Sequence, residues 1–296
     1  MIPAAFLMLL AGCSKSENAG GDTQEGPVPV RLNSGILEVT TRSVVDAGST
    51  FTASVAGWET EGTVDYAAPA AWTNTPTITA STSTPGSAVT LSPARYYNAD
   101  DNVKTYIKGW HPAGTLSDGK VTFENTDGTV DAMITEAVIG SKVDAEGKNL
   151  VFGHLTTQLK FMVKTGEGVA EGTTIRSITI KDAELPAGFD LTDNGVTYKS
   201  AADLSVPNLT ETAIPTTAAS VGDPVMIKPF SGNTVRLDIQ TSEASFTDVT
   251  ATIDDDANFL PGKAYTITLT FQQKEVELTA TVTAWDNTGT GSATIE

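Results

Sequence analysis

The sequence predicts an all-β sandwich or barrel protein, and three observations carry that expectation. No stretch of eleven or more residues sustains an apolar repeat of about 3.6, the period of an amphipathic helix. Short runs rich in Thr and Val alternate apolar and polar residues instead, punctuated by Gly, Pro, Asn and Asp. The clearest case lies near the C-terminus. Tyr265, Ile267, Leu269 and Phe271 share one face while Thr266, Thr268 and Thr270 share the other. After the polar turn 272–274, Val276, Leu278, Ala280, Val282 and Ala284 alternate with Glu and Thr. Two such runs around a short turn predict a half-exposed antiparallel hairpin.

Taken in order, the chain opens on the apolar run 2–11, far short of the roughly 20 residues that span a membrane as a helix. It ends in Leu10-Ala11-Gly12-Cys13, around the only cysteine. That tetrapeptide resembles the lipobox that bacterial signal peptidase II cuts between Gly12 and Cys13. The resemblance implies a signal peptide over residues 1–12 and a diacylglycerol on the Cys13 thiol. Residues 13–27 are polar and Gly-containing, as expected of a disordered tether. Next, Val28, Val30, Leu32 and Ile36 form an apolar strand with an expected break at Ser34-Gly35, where Leu37 and Val39 change phase. This first strand runs over residues 28–42 and ends at Arg42.

Further strands are expected at 51–55, 103–108, 120–123, 159–163, 175–180 and 235–239. Pro, Thr, Ala and Ser crowd residues 67–85, predicting a long loop, and Pro207, Pro215 and Pro224 predict another over 206–224. Residues 140–149 are polar, with Gly140 and Gly147, and read as a hinge. The boundary is placed near residue 148, giving an N-terminal β-sandwich domain over 28–147 and a C-terminal one over 148–296.

A net charge of −18 argues against nucleic acid, since few cations are present to displace counterions from phosphates. It also disfavours adsorption to an anionic membrane surface. A single cysteine leaves no disulfide framework, so the fold must stand on its hydrophobic core.

Residues 114–121 match the spacing of a phosphate-binding loop but end in Val121, where Ser or Thr would hold Mg²⁺. They read as a hairpin turn. Asp100-Asp101, with Asn98 and Asn102, and Asp254-Asp255-Asp256 carry oxygen ligands suited to Ca²⁺, but without the spacing of a known loop. They read as solvated turns. His111 and His154 are the only histidines and lie in no metal-binding pattern. No nucleophile elbow, catalytic cysteine or nucleotide fingerprint is present. Neither enzymatic activity, nor a cofactor, nor a metal is expected.

Several segments together resemble the fimbrillin family of Bacteroidia, the subunits of type V pili. They are Cys13 with its lipobox, Thr41-Arg42-Ser43, Tyr96-Tyr97 and Lys108-Gly109-Trp110-His111-Pro112. Asp131-Ala132-Met133-Ile134, Phe152-Gly153-His154-Leu155 and Leu159-Lys160-Phe161 follow. Phe259-Leu260-Pro261-Gly262-Lys263-Ala264-Tyr265 and Val282-Thr283-Ala284-Trp285 complete the series.

The resemblance implies two transthyretin-like β-sandwich domains and a pilus subunit or adhesin at the outer membrane, first held there by its lipid anchor. Its implied partners are other fimbrial subunits and a protease specific for arginine or lysine. Cleavage at Arg42–Ser43 would release the first strand with the lipid, and a neighbour's C-terminal strand would fill the vacated groove. Cleavage after Arg31 would split the strand. The hairpin 265–285 and the tail 290–296 are the candidate donors. A second reading is a non-polymerising surface lipoprotein that binds glycan, with Trp58, Trp72 and Trp110 as a stacking platform.

Overall fold

The computed structural model describes residues 26–37, 45, 47–124, 126–253, 258–272, 276–284 and 290–292. Every regular element among them is a β-strand. The largest sheet has eight strands. Its spatial order is Trp72–Asn74, Ser54–Thr60, Lys104–His111, Met133–Thr135, Lys148–His154, Leu32–Ile36 and Ser87–Val89, with Val138–Gly140 also pairing with Lys104–His111. Its pairings are antiparallel except that between Leu32–Ile36 and Lys148–His154.

Alternation gives this sheet two dry faces. On one, Val55, Ile107, Met133, Leu150 and Phe152 pack with the N-terminal apolar residues and with Phe51 and Ile78 of the small pair Thr50–Thr52 and Thr77–Thr79. On the other, Ala56, Trp58, Trp110 and Ile134 lie beneath a four-stranded sheet that contributes Val121 and Phe189, with Phe123 and Leu191 beside them. That cover pairs Lys120–Thr122 with Pro186–Asp190, joining strands from both halves of the chain.

The C-terminal half is a sandwich. One sheet runs Ala219–Ile227, Thr157–Thr165, Lys263–Phe271, Val276–Ala284, Thr290–Ser292. The opposing sheet contains Thr174–Ala183, Thr234–Thr241 and Ser245–Thr252. Leu159, Phe161, Ile178, Leu237, Ile239, Tyr265, Ile267 and Leu269 fill the space between them. The C-terminal hairpin forms in the register its alternation predicts, with Tyr265 opposite Val282 and Phe271 opposite Val276.

Three sequence expectations change. The tract 67–85 holds two short strands, Trp72–Asn74 and Thr77–Thr79, because Trp72, Ile78 and Ala80 are buried and anchor it. The tract 206–224 is likewise anchored by Val206, Ile214 and Val221. Pro224 lies in Ala219–Ile227 where the register shifts, a place that tolerates a residue without an N–H.

The hinge is a tight turn within the first sheet, closed by paired hydrogen bonds between Ser141 and Asp144. Lys148–His154, assigned to the second domain from sequence, pairs with Leu32–Ile36 and Met133–Thr135, so the chain leaves the first sheet at Leu155–Thr156.

Candidate functional site

The N-terminal segment occupies a slot within the first sheet. Val30 N–H donates to the Arg95 carbonyl at 2.8 Å, and Tyr97 N–H to the Val28 carbonyl at 2.9 Å. Further along, Lys148 N–H donates to the Arg31 carbonyl at 3.0 Å and Ile36 N–H to the Ser81 carbonyl at 2.8 Å. Leu32–Ile36 thus has neighbours on both edges, Lys148–His154 and Ser87–Val89.

Val28, Val30, Leu32 and Ile36 are all buried in one core. Through Leu37 the alternation continues across Ser34-Gly35 without the break the sequence allowed, and Val39 lies outside the described residues. Ser34 takes the inward position, fully buried, with its hydroxyl 3.2 Å from the Thr79 carbonyl and 3.3 Å from that of Ser87. Leu37, next after Ile36, points outward and is 59% exposed. The slot is close-fitting. A Cβ at Gly86 would lie 1.7 Å from the Ser34 carbonyl oxygen, so only glycine permits this approach.

A second cluster sits where the first sheet hands the chain to the second. Asp131, preceding Met133–Thr135, is fully buried, and its Oδ2 accepts a hydrogen bond from His154 Nδ1 at 2.7 Å. Its Oδ1 accepts one from the Thr156 hydroxyl at 3.3 Å. The Thr156 carbonyl in turn accepts from Gly262 N–H at 2.9 Å, and the Thr157 hydroxyl donates to the Leu260 carbonyl at 2.8 Å. Tyr265 closes the loop 258–262, its hydroxyl accepting from Leu260 N–H and donating to the Asn258 carbonyl. Three sequence segments that read as separate weak motifs, 131–134, 152–155 and 259–265, therefore meet in one junction.

The two histidines, distant in sequence, flank Met133 on neighbouring strands. His111 Nδ1–H donates to the Thr52 carbonyl at 2.7 Å, and its ring meets Phe51 edge-on. Burial pushes His111 below its usual range, partly offset by the Thr52 bond and Asp131, while His154 adds to the lowering. A base with a depressed folded pKa binds its proton more readily when unfolded. Stability should therefore fall as pH drops through about 6.5, the unfolded value, toward the lower folded one. Urea midpoints measured from about pH 7.5 to 5 should show this slope, and His111→Asn should flatten it.

The remaining candidates resolve into structural roles. Residues 114–121 form the hairpin Thr115–Ser117 and Lys120–Thr122, its turn made by Asp118 and Gly119 at φ of 49° and 73°. Asp100 N–H donates to Asn98 Oδ1, and Asn102 N–H to Asp100 Oδ1, so these side chains cap their own turn. No group of three metal-ligating side chains occurs among the described residues. Trp58, Trp72 and Trp110 are all buried and pack in the core, so they form no stacking platform on the surface. Gly12, Cys13, Arg42, Ser43, Asp254, Asp255, Asp256 and Trp285 lie outside the described residues. No helix among the described residues is long and apolar enough to cross a membrane.

A model of fimbrillin-like proteins matches residues 40–285. Among solved structures, a candidate cell adhesion protein from Bacteroides uniformis superposes with a TM-score of 0.54 at 16% identity, covering 87% of this chain and 98% of its own. One from Bacteroides ovatus gives 0.53 at 15% identity, covering 92% and 99%. A fimbrial protein from Bacteroides vulgatus gives 0.54 at 12% identity, covering 86% and 99%. These likenesses are of fold. No curated protein matches the sequence.

Proposed function

Because the chain belongs to the fimbrillin-like family, we propose that it is a structural subunit or adhesin of a cell-surface pilus, made as a lipid-anchored precursor and polymerised by strand exchange. The observation that carries the reading is the slot held by residues 28–37. A segment that contributes four core side chains and bonds along both edges blocks a groove of strand shape. Its loss creates the demand that a neighbour's strand satisfies.

Arg42 is the favoured cleavage site over Arg31. Arg31 lies between the core residues Val30 and Leu32 and its carbonyl is already bonded, so a protease would have to strip that backbone from the sheet. Arg42 follows the paired segment, and the family match begins at residue 40, beyond the strand.

On the donor side, Lys263–Phe271 is an inner strand whose Tyr265, Ile267 and Leu269 are fully buried, and freeing it would dismantle the C-terminal core. Among the described residues, Thr290–Ser292 pairs with Val276–Ala284 alone and ends its sheet. The tail is therefore the better candidate. The reading as a glycan-binding lipoprotein loses its motivating feature with the burial of the three tryptophans.

Treatment with a trypsin-like protease tests the proposal. The expected result is a cut at Arg42–Ser43 followed by strand-exchanged oligomers. A protein that stays monomeric and uncut between Arg31 and Lys104 would contradict it.

A further inference from the structure

Lys108 is a buried lysine, 3% exposed, on the face of the first sheet that the four-stranded cover encloses. Its Nζ donates to the Leu191 carbonyl and, at 2.6 Å, to Asn194 Oδ1, and it lies 4.2 Å from the centre of the Tyr66 ring. Asn194 sits in the turn between Pro186–Asp190 and Gly195–Tyr198, in the left-handed region at φ 60°. Its Nδ2 donates to Glu136 Oε1 at 2.9 Å. An ammonium offers only donors and a carboxylate only acceptors, so the two partners fix which way the amide faces. One side-chain amide thus has an amine at its oxygen and a carboxylate at its nitrogen.

We propose that this site makes an intramolecular amide bond between Lys108 and Asn194, with Glu136 as its general acid and base. The neutral Lys108 Nζ attacks Asn194 Cγ with its lone pair. The new C–N bond forms as the bond from Cγ to Nδ2 breaks, and ammonia leaves. Glu136 takes the proton released by the attacking nitrogen and delivers it to the departing Nδ2, ending as it began. Amine plus primary amide becomes secondary amide plus ammonia, so no oxidant, reductant or cofactor enters.

Three features favour the step. Burial lowers the Lys108 pKa, against the partial opposition of Glu136, Asp193 and Asp190, which favours the neutral, nucleophilic form. The fold holds both groups in contact, and such placement is equivalent to an effective concentration of about 10⁵ M or more. Glu136 already touches the nitrogen that must leave. The bond would join residues 86 apart in sequence and rivet the cover to the central strand Lys104–His111. It stands independently of the pilus reading.

Mass spectrometry of the denatured full chain tests it. The expected mass is about 17 Da below that required by its own termini, the loss of one ammonia. Asn194-Gly195 could lose the same mass by cyclising to a succinimide, so the digest must decide. The expected product is a branched peptide joining Lys108 to Asn194, with no tryptic cleavage after Lys108. Lys108→Arg and Glu136→Gln should each restore the full mass. A wild-type chain of full mass, or a deficit confined to Asn194-Gly195 with Lys108 cleavable, would overturn the proposal, and neither result depends on the variants folding.

Discussion

A chain cut after residue 42 and freed of its N-terminal segment is expected to lose the folded first sheet as a monomer, and to regain it when a peptide of residues 26–42 is supplied. Val28, Val30, Leu32 and Ile36 leave the core together. At about 1.5–3 kcal/mol for each buried side chain, the apolar loss alone is roughly 6–12 kcal/mol. The backbone bonds along both edges of Leu32–Ile36 add about 1 kcal/mol each. That total is comparable with the whole stability of an ordinary domain, about 5–15 kcal/mol.

Near-UV circular dichroism and the urea midpoint of the cut chain, with and without peptide, report the effect. A peptide carrying Leu32→Asp should fail to rescue, because it would bring a carboxylate into the apolar core where Leu32 is buried. An uncut-like midpoint in the cut chain would show that the slot does not need its strand.

Asp131→Ala is expected to destabilise the protein by about 2–5 kcal/mol, since two buried hydrogen-bond donors lose their acceptor at about 1–3 kcal/mol each. The side chains of Asp131 and His154 are 0% and 2% exposed, so solvent screens their contact little. Alanine would leave His154 Nδ1–H and the Thr156 hydroxyl without their shared acceptor. Thr156 also bonds the loop 258–262 through Gly262, so the damage should reach the C-terminal half as well as the first sheet. Asp131→Asn keeps an acceptor in place and should cost less, about 1–2 kcal/mol. Equilibrium unfolding in urea measures both. A change of under about 0.5 kcal/mol for Asp131→Ala would place the junction's stability elsewhere.

The strands with clean alternation were legible in the sequence, because period two directly reports one dry face. Tyr265, Ile267, Leu269 and Phe271 point inward as their spacing requires. Pairing between distant segments was not legible. Leu32–Ile36 lies parallel to Lys148–His154, and Thr157–Thr165 parallel to Lys263–Phe271. Neither pair is joined by a short turn, so nothing local specifies it.

For the same reason the strand Lys148–His154, which lies within about ten residues of the boundary expected near residue 148, could not be assigned to the first sheet from sequence. A polar, glycine-containing turn looks the same between domains as within a sheet. Ser34 broke the apolar pattern of the first strand without breaking the strand, since its hydroxyl finds two carbonyls inside. The cover strands Pro186–Asp190 and Gly195–Tyr198 did have a signal in Asn194-Gly195, a common hairpin turn pair. Trp58, Trp72 and Trp110 fit either a core or a sugar-stacking platform by residue type alone, and their burial selects the core.

The N-terminal residue of the protein recovered from assembled fibres tests the central claim most directly. If residues 28–42 only block a groove until assembly, N-terminal sequencing or mass spectrometry of washed fibres should find chains that begin at Ser43. Fibres whose chains begin at Cys13, with the strand Leu32–Ile36 still attached, would contradict the account.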